Sequence, residues 1–169
     1  MAARASGSWS AVRKYLEEEM LSPALKGRVR YNRTTYPNMD GCGLFEIYID
    51  KKLFKQFSWE TVNSYFIKKN LKENNNPKGR LEFWEGFHGL LAEIPVTERD
   101  EYTDEEFADA LGKYRNQPIS ASLGSENPLI AMFALLDIRS GKRSLQLFEG
   151  RLAGFPDWLS EIYRLRMNS

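Results

Sequence analysis

Residues 43–57, GLFEIYIDKKLFKQF, decide the fold of this chain. Apolar and polar residues alternate through the first half of the stretch, so that Phe45, Ile47 and Ile49 share one face of a half-buried β-strand. Asp50-Lys51 then predicts a two-residue hairpin turn. We therefore expect two antiparallel strands joined by this turn.

The turn also sets which residues lie opposite each other. The strand after it runs over 53–57. Ile47 then lies opposite Phe54, which makes an apolar pair, and Glu46 lies opposite Lys55, which makes an ion pair. Both pairs stabilise adjacent strands and favour this register.

A further strand and several helices complete the pattern. Period-two alternation predicts three strands, at 27–36, 43–50 and 53–57. Hydrophobic spacing and capping residues predict helices from Trp9, from Ser58 to about Asn70, over about 80–93, and from Thr103, Asn127 and Pro156. The sequence therefore predicts an α+β fold, in which a three-stranded antiparallel β-meander packs with several α-helices.

The most apolar helix begins at Asn127-Pro128, an N-cap followed by proline at the first helical position. Residues 129–136 are apolar nearly all round, which predicts a central buried helix. We expect Gly141 to end it in the left-handed conformation. The helix before it starts with a capping box of Thr103 and Glu106.

Composition predicts one globular domain over residues 1–169, of which 1–8 are disordered. Apolar residues make up 42% and charged residues 28%, as in folded proteins. Twenty-four basic residues face 23 acidic ones, whereas a dedicated nucleic-acid binder carries a clear basic excess. No apolar run reaches the roughly 18 residues of a membrane span, and the N-terminus does not read as a signal peptide. We expect a cytoplasmic protein without membrane contact.

Cysteine and histidine are scarce, because Cys42 and His88 are the only ones. An intramolecular disulfide is excluded, and a zinc site of Cys and His ligands has too few residues, so we expect no metal and no cofactor. A nucleophilic pair of Cys42 and His88 is one alternative. Asp40 would raise the pKa of the neighbouring thiol, so we favour a turn cysteine and a surface histidine.

Two groups of residues are candidate binding sites, and the first is the second face of the sheet. This face carries Leu44, Tyr48, Leu53 and Phe57 beside Arg28 and Arg30. It is too apolar for a simple solvated surface. Either the C-terminal helix covers it, through Trp158, Ile162 and Tyr163, or it binds a protein partner through aromatic anchors and an arginine rim.

The second group is basic. Arg139, Lys142 and Arg143 follow the buried helix and lie near its negative end. Lys142 and Arg143, together with Arg28 and Arg30, predict a site for nucleic acid or nucleotide phosphate. The net charge of +1 places this interpretation second, and an enzyme that uses carboxylates alone comes third.

Several motifs resemble one family of uncharacterised bacterial cytoplasmic proteins. They are PALKGRV at 23–29, IDKK at 49–52, Asn127-Pro128, and ALLDIRSGKR at 134–143. The resemblance implies a bacterial origin and supplies no catalytic residue. The leading hypothesis is a non-enzymatic protein-binding or accessory protein, of which immunity proteins are one example. The sequence leaves its partner and its oligomeric state open.

Overall fold

The computed structural model describes residues 7–36, 43–72 and 79–169. The predictions for residues 1–6 and for Cys42 lie outside these ranges. Ser8 is described, and its hydroxyl accepts a hydrogen bond of 3.3 Å from the Ala11 amide at the start of the first helix. The disorder expected at the N-terminus therefore does not include Ser8, which is an N-cap.

Eight α-helices and a three-stranded antiparallel sheet make up the described part of the chain, which confirms the α+β fold. The helices are α1 (Trp9–Lys14), α2 (Trp59–Lys68), α3 (Arg80–Glu93), α4 (Asp104–Asn116), α5 (Ile119–Leu123), α6 (Pro128–Leu136), α7 (Lys142–Glu149) and α8 (Asp157–Met167). The strands, in spatial order, are β1 (Val29–Thr35), β2 (Gly43–Ile49) and β3 (Lys52–Phe57). A π-helical segment (Tyr15–Met20) continues α1, and short 3-10 segments span Pro23–Leu25, Val96–Glu98 and Leu152–Gly154. None of the described helices has both the length and the apolar composition that a bilayer span requires.

The hairpin turn lies where the sequence predicts it. Asp50 and Lys51 have φ angles of 50° and 69°, and a tight turn with positive φ at both central residues matches the twist of the strands it joins. Next to the turn, Tyr48 lies opposite Leu53, in the predicted register. The two turn residues and the first pairs of the hairpin are therefore as expected.

A β-bulge then changes the register of β3. Ile47 lies opposite Lys55, and Glu46 lies opposite Gln56. The predicted pairs of Ile47 with Phe54 and of Glu46 with Lys55 are wrong, because the bulge adds one residue to β3. Since side chains alternate along a strand, each later residue of β3 points to the face opposite the predicted one.

The bulge places Phe57 in the core. Its side chain is fully buried opposite Phe45, and its ring centroid lies 4.7 Å from that of Phe107. The prediction that Phe57 belongs to the second face of the sheet is therefore wrong. The other buried residues on this core face are Val29, Tyr31 and Ile47.

The core is built around α6. All nine residues of α6 are buried, which confirms the predicted central helix. Helices α4, α5 and α8 pack against it, and α8 contributes the fully buried Leu159 and Ile162. The Trp158 indole donates a hydrogen bond of 3.2 Å to the Tyr102 hydroxyl. Because α8 packs on α6, the prediction that the C-terminal helix covers the second face of the sheet is wrong.

Helix α6 ends earlier than predicted, at Leu136. The next residue, Asp137, has an extended backbone, and the Ser22 amide donates to the Leu136 carbonyl at 2.9 Å. This hydrogen bond holds the chain in an extended path after Leu136 instead of a further helical turn. Gly141 has φ −75° and precedes α7 as its N-cap, so the expected left-handed terminator is wrong. Helix α7 was not predicted from the sequence.

A second, smaller hydrophobic cluster joins α2 and α3. Its buried members are Val62, Phe66 and Phe87. At its edge the rings of Trp59 and Trp84 meet with centroids 5.1 Å apart. Phe87 is the only buried residue among the 14 residues of α3, so most of this helix is accessible to solvent.

Candidate functional site

The second face of the sheet, turned away from the core, carries mixed polar and apolar side chains. They are Arg30, Asn32 and Thr34 on β1, Leu44, Glu46 and Tyr48 on β2, and Leu53 and Gln56 on β3. Leu53 is 47% exposed, and Tyr48 is half-buried. The structure therefore keeps Arg30, Tyr48 and Leu53 of the predicted patch on one face and removes Phe57 from it.

Glu46 lies on β2 at the centre of this face, and its hydrogen bonds link the three strands. Its carboxylate accepts hydrogen bonds from the Asn32 amide on β1 at 3.1 Å and from the Gln56 amide on β3 at 3.1 Å. The Tyr48 hydroxyl, two residues along β2, donates a third bond of 3.2 Å. Glu46 is 9% exposed, so these donors replace most of its hydration.

The network fixes the charge state of Glu46. Burial opposes ionisation, but the hydrogen bonds from Gln56, Asn32 and Tyr48 outweigh it and hold the pKa of Glu46 below its ordinary value. A carboxylate with a lowered pKa is a poor general acid or base near neutral pH. Glu46 therefore orders the face and does not resemble a catalytic carboxylate.

An open cavity of about 560 Å³ adjoins this face where β3 leads into α2, and we call it the α2 groove. Its floor includes Leu44 and Gln56, which also belong to the second face of the sheet. Its aromatic residues are Tyr36, which is 41% exposed, and the half-buried Trp59 and Tyr65. The groove and the second face are therefore one continuous surface.

The sequence positions the wall of the groove through the cap of α2. The Ser58 hydroxyl accepts from the Thr61 amide at 3.2 Å, and the Thr61 hydroxyl accepts from the Ser58 amide at 3.4 Å. This reciprocal capping box fixes the first turn of α2. It thereby sets the place of Trp59 and Glu60 at the rim.

Charged groups of both signs line the α2 groove. Glu60 and Glu101 are acidic, and Lys68 is basic. The Glu101 carboxylate lies 3.3 Å from the ammonium group of Lys55, which also donates to the Asp100 carbonyl at 2.6 Å. Burial lowers the pKa of Lys55, and the charge of Glu101 opposes that effect.

The predicted basic residues do not form one site. Arg28 pairs with Asp50 at 2.8 Å, as expected for neighbouring strands. Arg139 binds Asp137 through its guanidinium at 2.7 Å. Lys142 and Arg143 are exposed at the start of α7. Arg28 and Arg139 are therefore paired with different carboxylates, and Lys142 and Arg143 lie on a third element.

Arg139 instead belongs to a buried structural network around Asp137. The Asp137 carboxylate also accepts a hydrogen bond from the Tyr114 hydroxyl and one of 2.7 Å from the Arg139 amide. Ser140 donates to the Ala134 carbonyl at 2.5 Å, which ties the turn to the end of α6. The run LLDIRSGKR therefore holds α6, α4 and the following turn together.

The remaining chemical candidates are a metal site, His88 and Cys42. Within the three described ranges, no group of three Cys, His, Asp or Glu side chains is placed to hold a metal ion. His88 is exposed, and its ring lies against that of Trp84 with centroids 5.9 Å apart. Cys42 lies outside the described residues.

Several site residues were missed from the sequence. The sequence assigns Gln56 no role because the bulge has no local signature. Trp59 is predicted only as a member of the face of the helix that begins at Ser58, and Tyr65 is assigned no role. Nothing in the sequence indicates that these two rings and Leu44 of the sheet line one cavity.

Comparison with known proteins gives one match. The model described as the SF0329 protein family matches residues 8–167. No curated protein and no solved structure matches the chain. The match covers nearly the whole chain.

Proposed function

We propose that this chain, which belongs to the SF0329 protein family, is a non-enzymatic accessory protein of the bacterial cytoplasm that binds a partner protein. The partner contributes an extended segment that lies in the α2 groove and continues over the second face of the sheet. The α2 groove carries the proposal, since it is an open cavity with aromatic walls on the side of the sheet away from the core.

The aromatic side chains of the groove are suited to anchoring a polypeptide. Trp59, Tyr65 and Tyr36 line the groove, and Trp and Tyr contribute much of the binding energy of protein interfaces. A cavity of about 560 Å³ is of the size that accommodates a short segment with a few side chains. An extended segment therefore fits better than the convex surface of a folded domain.

The charges of the groove define the chemistry of the segment. Glu60 is exposed and makes no ion pair with a described residue, and the side chain of Glu101 is 34% exposed. A lysine or arginine of the partner can pair with Glu60 while an apolar neighbour packs on Trp59. The preferred segment thus combines an apolar residue with a basic one.

A phage-displayed library of random short peptides tests this proposal. We expect selection on the immobilised full-length protein to enrich peptides that carry an apolar residue close to a basic one. Glu60→Lys should weaken their binding by about tenfold or more, because it places like charges together in the groove. Affinities are measured by isothermal titration calorimetry.

Glu85→Lys is the matched control. It makes the same charge change at an exposed position of α3 that does not line the groove, and it should leave the affinity within about twofold. Equal weakening by both variants would point to non-specific charge attraction and would refute the groove. The proposal would also be refuted if no selected peptide lost affinity in the Glu60→Lys variant.

A further inference from the structure

A second cavity, of about 410 Å³, lies on another part of the molecule, and we call it the basic cavity. Its charged lining residues are Arg13, Lys14, Glu17, Glu18, Lys26 and Arg30. Four of these side chains are cationic and two are anionic. A chain with a net charge of only +1 thus concentrates positive charge around one concavity.

Three different parts of the chain build the basic cavity. The last turn of α1 supplies Arg13 and Lys14, and the π-helical segment follows directly at Tyr15. π-Helical turns occur frequently at functional sites, because they displace side chains from the regular helical spacing. Lys26 comes from the turn before β1, and Arg30 comes from β1 itself.

Glycine is required at the turn that carries Lys26. Gly27 has φ +81°, a conformation that residues with a Cβ atom rarely adopt. The space where a Cβ would lie is empty, with no atom within 4 Å. The turn therefore leaves the rim of the cavity open beside Lys26.

The ion pairs inside the basic cavity do not neutralise all of its positive charge. Glu17 is held by Arg13 at 2.7 Å and lies 3.7 Å from Arg30, and its side chain is only 11% exposed. Lys14 and Lys26 are exposed and make no ion pair with any residue that the structure describes. The four cations exceed the two carboxylates by two charges.

We propose that the basic cavity binds a small ligand through a phosphate group that carries two negative charges. The excess of two positive charges matches such a dianion. Guanidinium groups present paired donors that fit phosphate oxygens, and lysines add mobile point charges. Arg13 and Arg30, already oriented by Glu17, are the fixed donors, and Lys14 and Lys26 close on the ligand.

This site is independent of the proposed partner binding. The basic cavity and the α2 groove share no lining residue. It also differs from the phosphate site expected from the sequence, since Arg28 is paired with Asp50 and Lys142 lies on α7. Arg30 alone is common to the two.

Titration with inorganic phosphate at mildly alkaline pH, where the dianion predominates, tests the proposal, with ¹⁵N–¹H correlation spectra of the full chain as the readout. We expect saturable shifts of the amides around Lys14, Lys26 and Arg30 at low ionic strength. The double variant Lys14→Gln/Lys26→Gln should weaken binding by about tenfold or more, because two of the attracting charges are lost. Both lysines are exposed, so the variant is expected to fold, and circular dichroism verifies this.

Lys142→Gln is the matched control, since it removes one exposed lysine away from the cavity. It should leave phosphate binding within about twofold. Equal loss in the control, or no saturable shift in the wild-type protein, would overturn the proposal. A single-stranded oligonucleotide is titrated in a second experiment. If it bound through the same lysines while inorganic phosphate did not, the ligand would be nucleic acid and the proposal would be wrong.

Discussion

At the scale of single residues, Arg139 shows that a sequence motif does not indicate which partners its residues bind in the folded protein. In the sequence it follows the buried helix together with the basic residues Lys142 and Arg143. In the structure it neutralises Asp137, whose side chain is fully buried and which also binds Tyr114. Tyr114 lies 23 residues away in the chain, so no local pattern indicates the partnership. A buried carboxylate requires such partners, so the ion pair of Arg139 is explained by the stability of the fold, although its side chain is 41% exposed.

Tyr114→Phe tests the importance of this network for stability. The variant keeps the ring but removes the hydrogen bond to the buried carboxylate. We expect the free energy of unfolding to fall by about 1.5–3 kcal/mol, the range for hydrogen bonds to charged groups. Urea denaturation followed by circular dichroism measures the difference. A change of the free energy of unfolding by less than about 0.5 kcal/mol would mean that Arg139 alone is sufficient to stabilise the buried charge of Asp137.

The same residue predicts a pH dependence. Burial, and then the hydrogen bond to Asp137 and its charge, raise the pKa of Tyr114 above its ordinary value. The folded protein therefore holds a proton that the unfolded chain releases above about pH 10, so stability from this group falls as the pH rises beyond that value. Tyr114→Phe lacks this titration. The stability difference between the two proteins should narrow above about pH 10, and a constant difference would contradict the prediction.

At the scale of elements, six of the eight helices in the described part of the chain begin within a few residues of the predicted positions. Helices α5 and α7 and the register of β3 were not predicted. The cap of α2 at Ser58 and the capping box at Thr103 are local signals, and both are present. A β-bulge has no comparable signature, because the stretch LFKQF reads equally well in either register. Its lysine reaches Glu101 and the carbonyl of Asp100, contacts that lie far along the chain. Tertiary contacts thus decide which face each residue of β3 occupies.

A pair of alanine substitutions tests the register of β3. Phe57→Ala should lower the free energy of unfolding by about 3–5 kcal/mol, because it empties a fully buried site. Leu53→Ala should lower it by less than about 1 kcal/mol, because Leu53 is 47% exposed. In the register predicted from the sequence, both would lie on the second face. Similar losses for the two variants would therefore contradict the bulge.

At the scale of the whole molecule, the hydrophobic pattern indicates the fold class but not where the binding surfaces lie. The net charge of +1 does not indicate the basic cavity, because the acidic residues that balance its excess positive charge lie elsewhere in the molecule. The α2 groove forms only where β2, β3 and α2 meet, so its residues come from separate stretches of the chain. The hydrophobic pattern predicts the central helix α6 because its burial depends on its own residues. The sites depend on the approach of distant elements, which a single sequence does not report.

The two hydrophobic clusters predict that the molecule does not have uniform stability. Among the described residues, the main cluster contains 26 buried residues, whereas the cluster of α2 and α3 contains three. Local opening requires less free energy where fewer apolar contacts are lost. Native-state hydrogen exchange should therefore give lower opening free energies for amides of α3 than for those of α6, by about 2 kcal/mol or more.

Val62→Ala provides the complementary perturbation, because Val62 is fully buried in the small cluster. The experiment is done in conditions where global unfolding is negligible. If α2 and α3 open as a separate unit, the variant should accelerate amide hydrogen exchange in both helices, whereas the amides of α6 should remain protected from exchange. Equal acceleration in α6 would show that the two clusters unfold together. Separate opening would make the wall of the α2 groove the most adaptable part of the molecule. A partner segment bound there would then be expected to slow exchange in α2 and α3 first, since ligand binding stabilises the state to which it binds.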